Sequence, residues 1–252
     1  MILTVPSWVI PGSYRENLEF LEDKTEISGV ELLFFLYDDD VKAMLDEEWD
    51  TITRLSGRFR YTAHLPDPFL PQHEELVSRL LPWVAHFIIH PYKEDESIPR
   101  DAFLNRWFPP VPPPHSPPTP TGLHQGGESA STRFVFENTS PGRLESILPA
   151  LPEDAPLCMD TGHLLLEGIN PAEYYRRHKH RIAEIHLHGM DAAAAAQDGL
   201  LVDHRRLSPD MPWLEELSED LKNYAGVLNI EVFSWEEASA SIHALRALNI
   251  IM

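Results

Sequence analysis

The sequence predicts a single-domain α/β fold, a (β/α)8 (TIM) barrel, and three observations point to it. Apolar runs and amphipathic segments alternate in a β-then-α rhythm that repeats eight times. The length of 252 residues matches a fold that takes roughly 250. The apolar runs also end in, or just before, metal-binding side chains. These are RYTAH to His64, HFIIH to His90, RFVFE to Glu137, PLCMDTGH to Asp160 and His163, IAEIHLH to His186 and His188, LLVDH to Asp203 and His204, and LNIEV at Glu231. In a barrel, all strands point their carboxyl ends at one face, so residues far apart in sequence converge there. Closure follows from the count of eight; an open doubly wound sheet is the competing reading of the same rhythm.

Strands are expected near residues 2–5, 29–36, 59–63, 86–90, 133–137, 156–160, 182–187 and 226–232, with helices beginning near 13, 41, 72, 100, 141, 171, 211 and 236. Several helices carry start signals: Ser13 before YRENLEFL, Asn170-Pro171 before AEYYRR, and Ser234 before WEEASASIHALRAL. The basic run at 176–181 reads as a helix end before a strand, where cations suit the dipole. Two stretches break the rhythm. Residues 109–132 carry eight of the 23 prolines between Pro109 and Pro120, so they cannot form helix or sheet interior and are expected as a flexible, extended insertion. Residues 190–204 are expected as an active-site loop whose five alanines make a short helical turn.

Composition narrows the function. Asp plus Glu number 40 against 20 Lys plus Arg, a net charge of −20. Nucleic-acid binders gain affinity by neutralising phosphates with basic patches, so a polynucleotide partner is disfavoured and a small-molecule substrate expected. No run approaches the roughly 18 uncharged apolar residues of a membrane span. The N-terminus lacks a basic region followed by a continuous apolar stretch, which argues against a signal peptide. With one cysteine, Cys158, no intrachain disulfide is possible and a reducing cytoplasm is the expected compartment. Cys158 lies inside an apolar run and is expected in the core.

Imidazole and carboxylate suit divalent cations of the zinc or manganese type. Glu137, Asp160, His186 and Glu231 would complete the shell of one cation, as an isomerase or epimerase uses. Adding His64, His90, His163 and the pair Asp203-His204 gives enough donors for two or three, an arrangement suited to phosphoester hydrolysis. Glu137 and Glu231 are the candidate catalytic carboxylates in either case. Trp8, Tyr92 and Trp235 lie just past strand ends, as does Phe69, and could line an aromatic rim for substrate.

The strand-end motifs HLPD, IIHP, FENTS, CMDTGH, IHLHG, VDH and NIEVF resemble the xylose-isomerase-like superfamily, which contains sugar isomerases, ketose epimerases and endonuclease-IV-type (AP endonuclease family 2) nucleases. The resemblance runs from His64 to Glu231. By similarity to the nuclease branch, His64 and His90 hold an outer zinc that Glu137 bridges to a second. Glu137, Asp160, His186 and Glu231 complete the inner sites, and His163, Asp203 and His204 serve a third. The nuclease pattern has one residue between the late Asp and His; here they are adjacent, which leaves His188 as an alternative to His204 and otherwise a substrate contact. Basic DNA-contacting loops are also absent. The N-terminal PSWVIPGSYRENLEFL followed by VELLFF, the HLHG motif and DH before RRL resemble the cobamide-remodelling phosphodiesterases, which implies a corrinoid substrate.

Three expectations result: a metal-dependent phosphodiesterase acting on a small-molecule phosphodiester such as that of a cobamide; alternatively a metal-dependent sugar or sugar-phosphate isomerase or epimerase; and, from a different class, a non-catalytic ligand-binding barrel. The number of residues that converge as metal donors separates the first two.

Overall fold

The computed structural model describes residues 1–91, 133–139, 142–191 and 202–252. Eight parallel strands close into a barrel: β1 (Ile2–Pro6), β2 (Gly29–Leu33), β3 (Arg60–His64), β4 (Val84–Ile89), β5 (Phe134–Glu137), β6 (Leu157–Asp160), β7 (Ile182–His186) and, after a two-stranded excursion, β10 (Val227–Asn229). The excursion is an antiparallel pair, β8 (Gly189–Asp191) with β9 (Val202–Arg205). Barrel closure is made by β1 against β10, with Leu3 opposite Leu228 and Thr4 opposite Asn229. The open doubly wound alternative is thereby excluded.

The helices are α1 (Tyr14–Leu21), α2 (Asp39–Leu55), α3 (Glu74–Leu80), α4 (Arg143–Ile147), α5 (Thr161–Leu166), α6 (Pro171–His178), α7 (Pro212–Lys222) and α8 (Trp235–Ala247). Their starts follow local chemistry. Ser13 and Glu16 form a reciprocal capping box on α1, Asn170 caps α6 with proline at its first position, and Ser234 caps α8. Three basic residues, Arg176, Arg177 and His178, close α6 as expected. Helix α5 was not anticipated: Asp160 accepts from the His163 N–H and starts it directly at the end of β6.

Three expectations are altered or left aside. The last barrel strand stops at Asn229, so Glu231 lies in the following turn. Residues 190–204, expected as a loop with a helical turn, contribute β8 and β9 at their ends, while the alanine run lies outside the described residues. The Pro-rich segment 109–132 and the helix expected near 100 also lie outside them.

Strand alternation creates two interiors. Outward residues such as Phe87 and Phe134 (ring centroids 5.7 Å apart) pack beneath the helices. Tyr61 reaches out to donate to the Ile52 carbonyl on α2. This layer holds the main hydrophobic cluster, where each fully buried Leu, Ile or Phe contributes about 1.5–3 kcal/mol. The barrel lumen has only a small apolar cluster, Ile88, Val135 and Cys158. Barrel lumens are ordinarily filled by branched apolar residues; this one buries Thr4, Glu31, Thr62, Glu184, His186 and Asn229. Such groups are costly unless partnered, and a chain of bonds from Thr4 to Asn229, Asn229 to Glu31 and Glu31 to His186 leads upward to one centre. Among the described residues, no helix is long and apolar enough to cross a membrane.

Candidate metal centre

The carboxyl ends of β5, β6 and β7 and the turn after β10 bring Glu137, Asp160, His186 and Glu231 together, their donor atoms all within 4.8 Å of one another. All four are buried. His186 is the hub. Its Nδ1 lies 2.9 Å from Glu137 Oε1 and 3.2 Å from Glu231 Oε2. Its Nε2–H donates to Glu31 Oε2 at 3.0 Å, and Glu31 Oε1 accepts from Asn229 Nδ2 at 2.9 Å. A carboxylate behind an imidazole fixes its tautomer and turns the other nitrogen's lone pair toward a metal.

The donor chemistry fits a divalent cation. Glu231 Oε2 is buried and makes no hydrogen bond, although an orphaned buried carboxylate oxygen is costly. Burial alone would raise both Glu137 and Glu231, but the histidines against them hold both well below the usual carboxylate range. In the reverse sense, burial opposes a charge on His186, yet Cys158, Glu231, Glu31 and Glu137 around it push it well above an ordinary imidazole. The carboxylates therefore demand positive partners, a demand one divalent cation meets for several at once.

Two flanking groups share residues with this core. His64 and His90 both face Glu137 Oε2, at 3.2 and 3.0 Å. His64 Nδ1–H donates to the Leu65 carbonyl and His90 Nδ1 to Asp67, so each presents Nε2 inward. Burial pulls His90 down, but its bonds to Asp67 and Glu137 outweigh this and set it at about 9. On the other flank, Asp160, His188, His204 and Glu231 form a second four-donor group. His188, expected either as the alternative late ligand to His204 or as a substrate contact, joins this donor group and is fully buried, with Nε2 3.0 Å from Asp160 Oδ2. It accepts the His204 N–H at Nδ1, and the two rings stack at 4.2 Å. That bond holds His204 in the left-handed region, φ 52°, which non-glycine residues rarely adopt outside functional turns. His204 Nε2 is 3.6 Å from Glu231 Oε2. Burial opposes its charge, but Asp203 and Glu231 raise it to about 11.

Two expected ligands join none of these groups among the described residues. His163 turns Nδ1 to the Asn138 carbonyl at 3.0 Å, and Asp203 is held by its own neighbour, His204 Nδ1, at 2.9 Å. The aromatic rim also differs. Trp235 stands on the outside, edge-on to Phe20 and beneath the Lys24 ammonium, because it opens a helix that packs back on the barrel. Phe69 is buried against Phe134. Trp8 is half-exposed in the turn after β1, and Tyr92 lies outside the described residues. The mouth is lined instead by Phe35 and Phe233, 6.2 Å apart, with Phe35 near His64 and Phe233 stacked on His204 at 4.9 Å. Their signal was present in sequence as a phenylalanine two or four places beyond a strand, in ELLFF and IEVF. Glu31 was missed as well; a lone acid inside the apolar run GVELLFF was its mark.

No protein-family model matches the chain, and no curated protein matches it. Solved structures do. One is the probable 3-DHS dehydratase AsbF involved in petrobactin synthesis from Bacillus anthracis, with a TM-score of 0.66 at 10% identity over 99% of each chain. Another is the apo form of 3-keto-D-glucoside 4-epimerase, YcjR, from E. coli, with a TM-score of 0.55 at 13% identity over 100% of each chain. At such identities the likeness is one of fold, and the chain is a closed eight-stranded parallel barrel of the architecture on which this dehydratase and this epimerase are built.

Proposed function

We propose that this protein is a metal-dependent isomerase or epimerase of a sugar or sugar-like substrate, moving a proton at a carbon next to a carbonyl. The observation that carries the reading is the buried four-donor set of Glu137, Asp160, His186 and Glu231, with His186 anchored from behind by Glu31. A divalent cation bound there would act as a Lewis acid on a carbonyl or hydroxyl oxygen. The chain's own residues supply the rest. Glu137 ends β5, Glu231 lies in the turn after β10, and they flank the same imidazole, so one carboxylate can take a proton and the other return it. Asp160 divides its oxygens between the His163 N–H and His188, which fixes its orientation. Phe35 and Phe233, both exposed at the mouth, offer apolar surface to a sugar ring.

The structural neighbours named as an epimerase and a dehydratase support this isomerase/epimerase reading over the phosphodiesterase one, and give no support to a cobamide substrate. Of the donors that a third cation would need, His163 and Asp203 join no donor group among the described residues, while His204 does. A second reading, the metal-dependent phosphodiesterase, keeps two observations in its favour, the convergence of His64 and His90 on Glu137 and the second four-donor group of Asp160, His188, His204 and Glu231. Under either reading the net charge of −20 favours a small molecule over a polynucleotide.

The test is metal analysis of the purified protein together with solvent-deuterium incorporation into a panel of ketohexoses. One tight divalent ion per chain with deuterium entering beside the carbonyl is the expected result. Two or three tight ions, hydrolysis of bis(p-nitrophenyl) phosphate and no deuterium incorporation would install the phosphodiesterase instead.

A further inference from the structure

Beside the metal centre lies a cavity of about 670 Å³, bounded by His204 and Arg205 on β9, Arg206 just after it, Phe233 in the turn after β10, and Glu236 and Glu237 in the first turn of α8. It adjoins the centre at His204, which lines the cavity and whose Nε2 is 3.6 Å from Glu231 Oε2. Cavities of roughly 300–1,000 Å³ bury drug-sized ligands, so this space exceeds what a substituent of a single atom or two requires.

The walls have a definite character. One is aromatic: the Phe233 ring is 38% exposed although it stacks on His204. The remainder alternates donors and acceptors. Arg205 lies 3.8 Å from Glu237 and is partly neutralised by it. Arg206 is exposed, and Glu236 and Asp203 add acceptors. Two guanidinium groups against three carboxylates leave no net positive charge to hold a phosphate or carboxylate. Hydroxyl groups, each both donor and acceptor, are the ligand that satisfies guanidinium and carboxylate walls together, and an aromatic wall suits the apolar face of a sugar ring.

We infer that this cavity is a second sugar subsite, and that the substrate is a neutral glycoside-type molecule whose reacting unit sits at the four-donor centre while a non-reacting, polyhydroxylated ring lies between Phe233 and Arg206. The inference rests on the isomerase/epimerase reading and deepens it. Binding energy from the non-reacting ring is then available to position the reacting one.

The experiment uses the metal-loaded protein and compares solvent-deuterium incorporation into D-fructose, into its glucosyl derivatives turanose, maltulose and isomaltulose, and into fructose 6-phosphate. The expected result is at least a tenfold higher kcat/KM for one or more glucosyl-fructoses than for fructose, with the phosphate no better than fructose. Arg206→Ala and Glu236→Ala, both on the cavity wall, should each cut that glucosyl advantage at least threefold. Incorporation into fructose at a rate equal to or above the disaccharides, preference for the phosphate, or an advantage unchanged in both variants would overturn the subsite and leave the reaction standing. Absence of incorporation into every sugar would overturn the reaction together with the subsite.

Discussion

Glu31→Gln is the most discriminating perturbation of the centre, because the two side chains have the same shape and differ in their hydrogen-bond inventory. Glu31 uses one oxygen for His186 Nε2–H at 3.0 Å and the other for Asn229 Nδ2–H at 2.9 Å. Glutamine offers one acceptor and one NH2 group, so one of those buried donors must face another donor. All three residues are fully buried, and no water can substitute without space. Leaving a buried donor unsatisfied costs about 1–3 kcal/mol. Removing the partner that orients a ligating histidine typically lowers metal affinity about 10–100-fold, or about 1.4–2.8 kcal/mol at 1.4 kcal/mol per decade. The two routes agree. Manganese or zinc affinity, measured by competition with a chelating dye at fixed pH, should therefore weaken by one to two decades in Glu31→Gln. Adding Asn229→Asp supplies an acceptor for the new amide while preserving the acceptor used by Thr4, and should recover part of the loss. Affinity within threefold of the parent protein, or no recovery in the double variant, would refute the assignment of Glu31 as the group that orients His186.

Other consequences follow from single contacts. A Cβ at Gly162 would overlap the His188 ring, so Gly162→Ala should lower metal affinity or the melting temperature despite alanine's better helix propensity of about 1 kcal/mol; an unaffected variant would show that the ring has room to move. Asn17 is fully buried and makes four bonds, accepting from the Val9 and Ile10 N–H groups and donating to the Ile10 and Ser13 carbonyls. Asn17→Ala should cost about 2–4 kcal/mol in urea unfolding at roughly 1 kcal/mol per bond, and a loss under 1 kcal/mol would contradict it. His73 is lowered below an ordinary imidazole by burial and by Lys42, and its Nδ1 accepts the Leu70 N–H, which requires the neutral ring. Its folded value lies below its unfolded value, so its contribution is fully present above about pH 6.5 and is lost as pH falls through the folded value. The urea midpoint should drop between pH 7.5 and 5.5, less steeply in His73→Gln; equal slopes would exclude His73 as a source.

The fold was legible because its signals are local. Apolar runs of strand length, Ser13, Asn170 and Ser234 as caps, and the basic end of α6 each act within a few residues, and the eight barrel strands lie where the runs predicted them. The donors Glu137, Asp160, His186 and Glu231 were legible for a related reason: a strand's end fixes its residue at the mouth whatever the neighbouring strands contain. Short-range geometry reached no further. Asp160 carries both a helix N-cap and a contact to His188, and the helix it starts was not visible in the motif CMDTGH.

Sequence alone therefore determined the barrel, the face that holds the chemistry and the four central donors, since each depends on strand period and strand direction. Tertiary structure decided which histidines belong with them. His188 turned inward to Asp160 and His163 turned to the Asn138 carbonyl, outcomes set by competition among groups that meet only once the barrel closes, while Asp203 was taken by its sequence neighbour His204. It also replaced Trp235 with Phe35 and Phe233 at the mouth, because a side chain's exposure depends on what packs against its helix, and residues distant in the chain supply that packing.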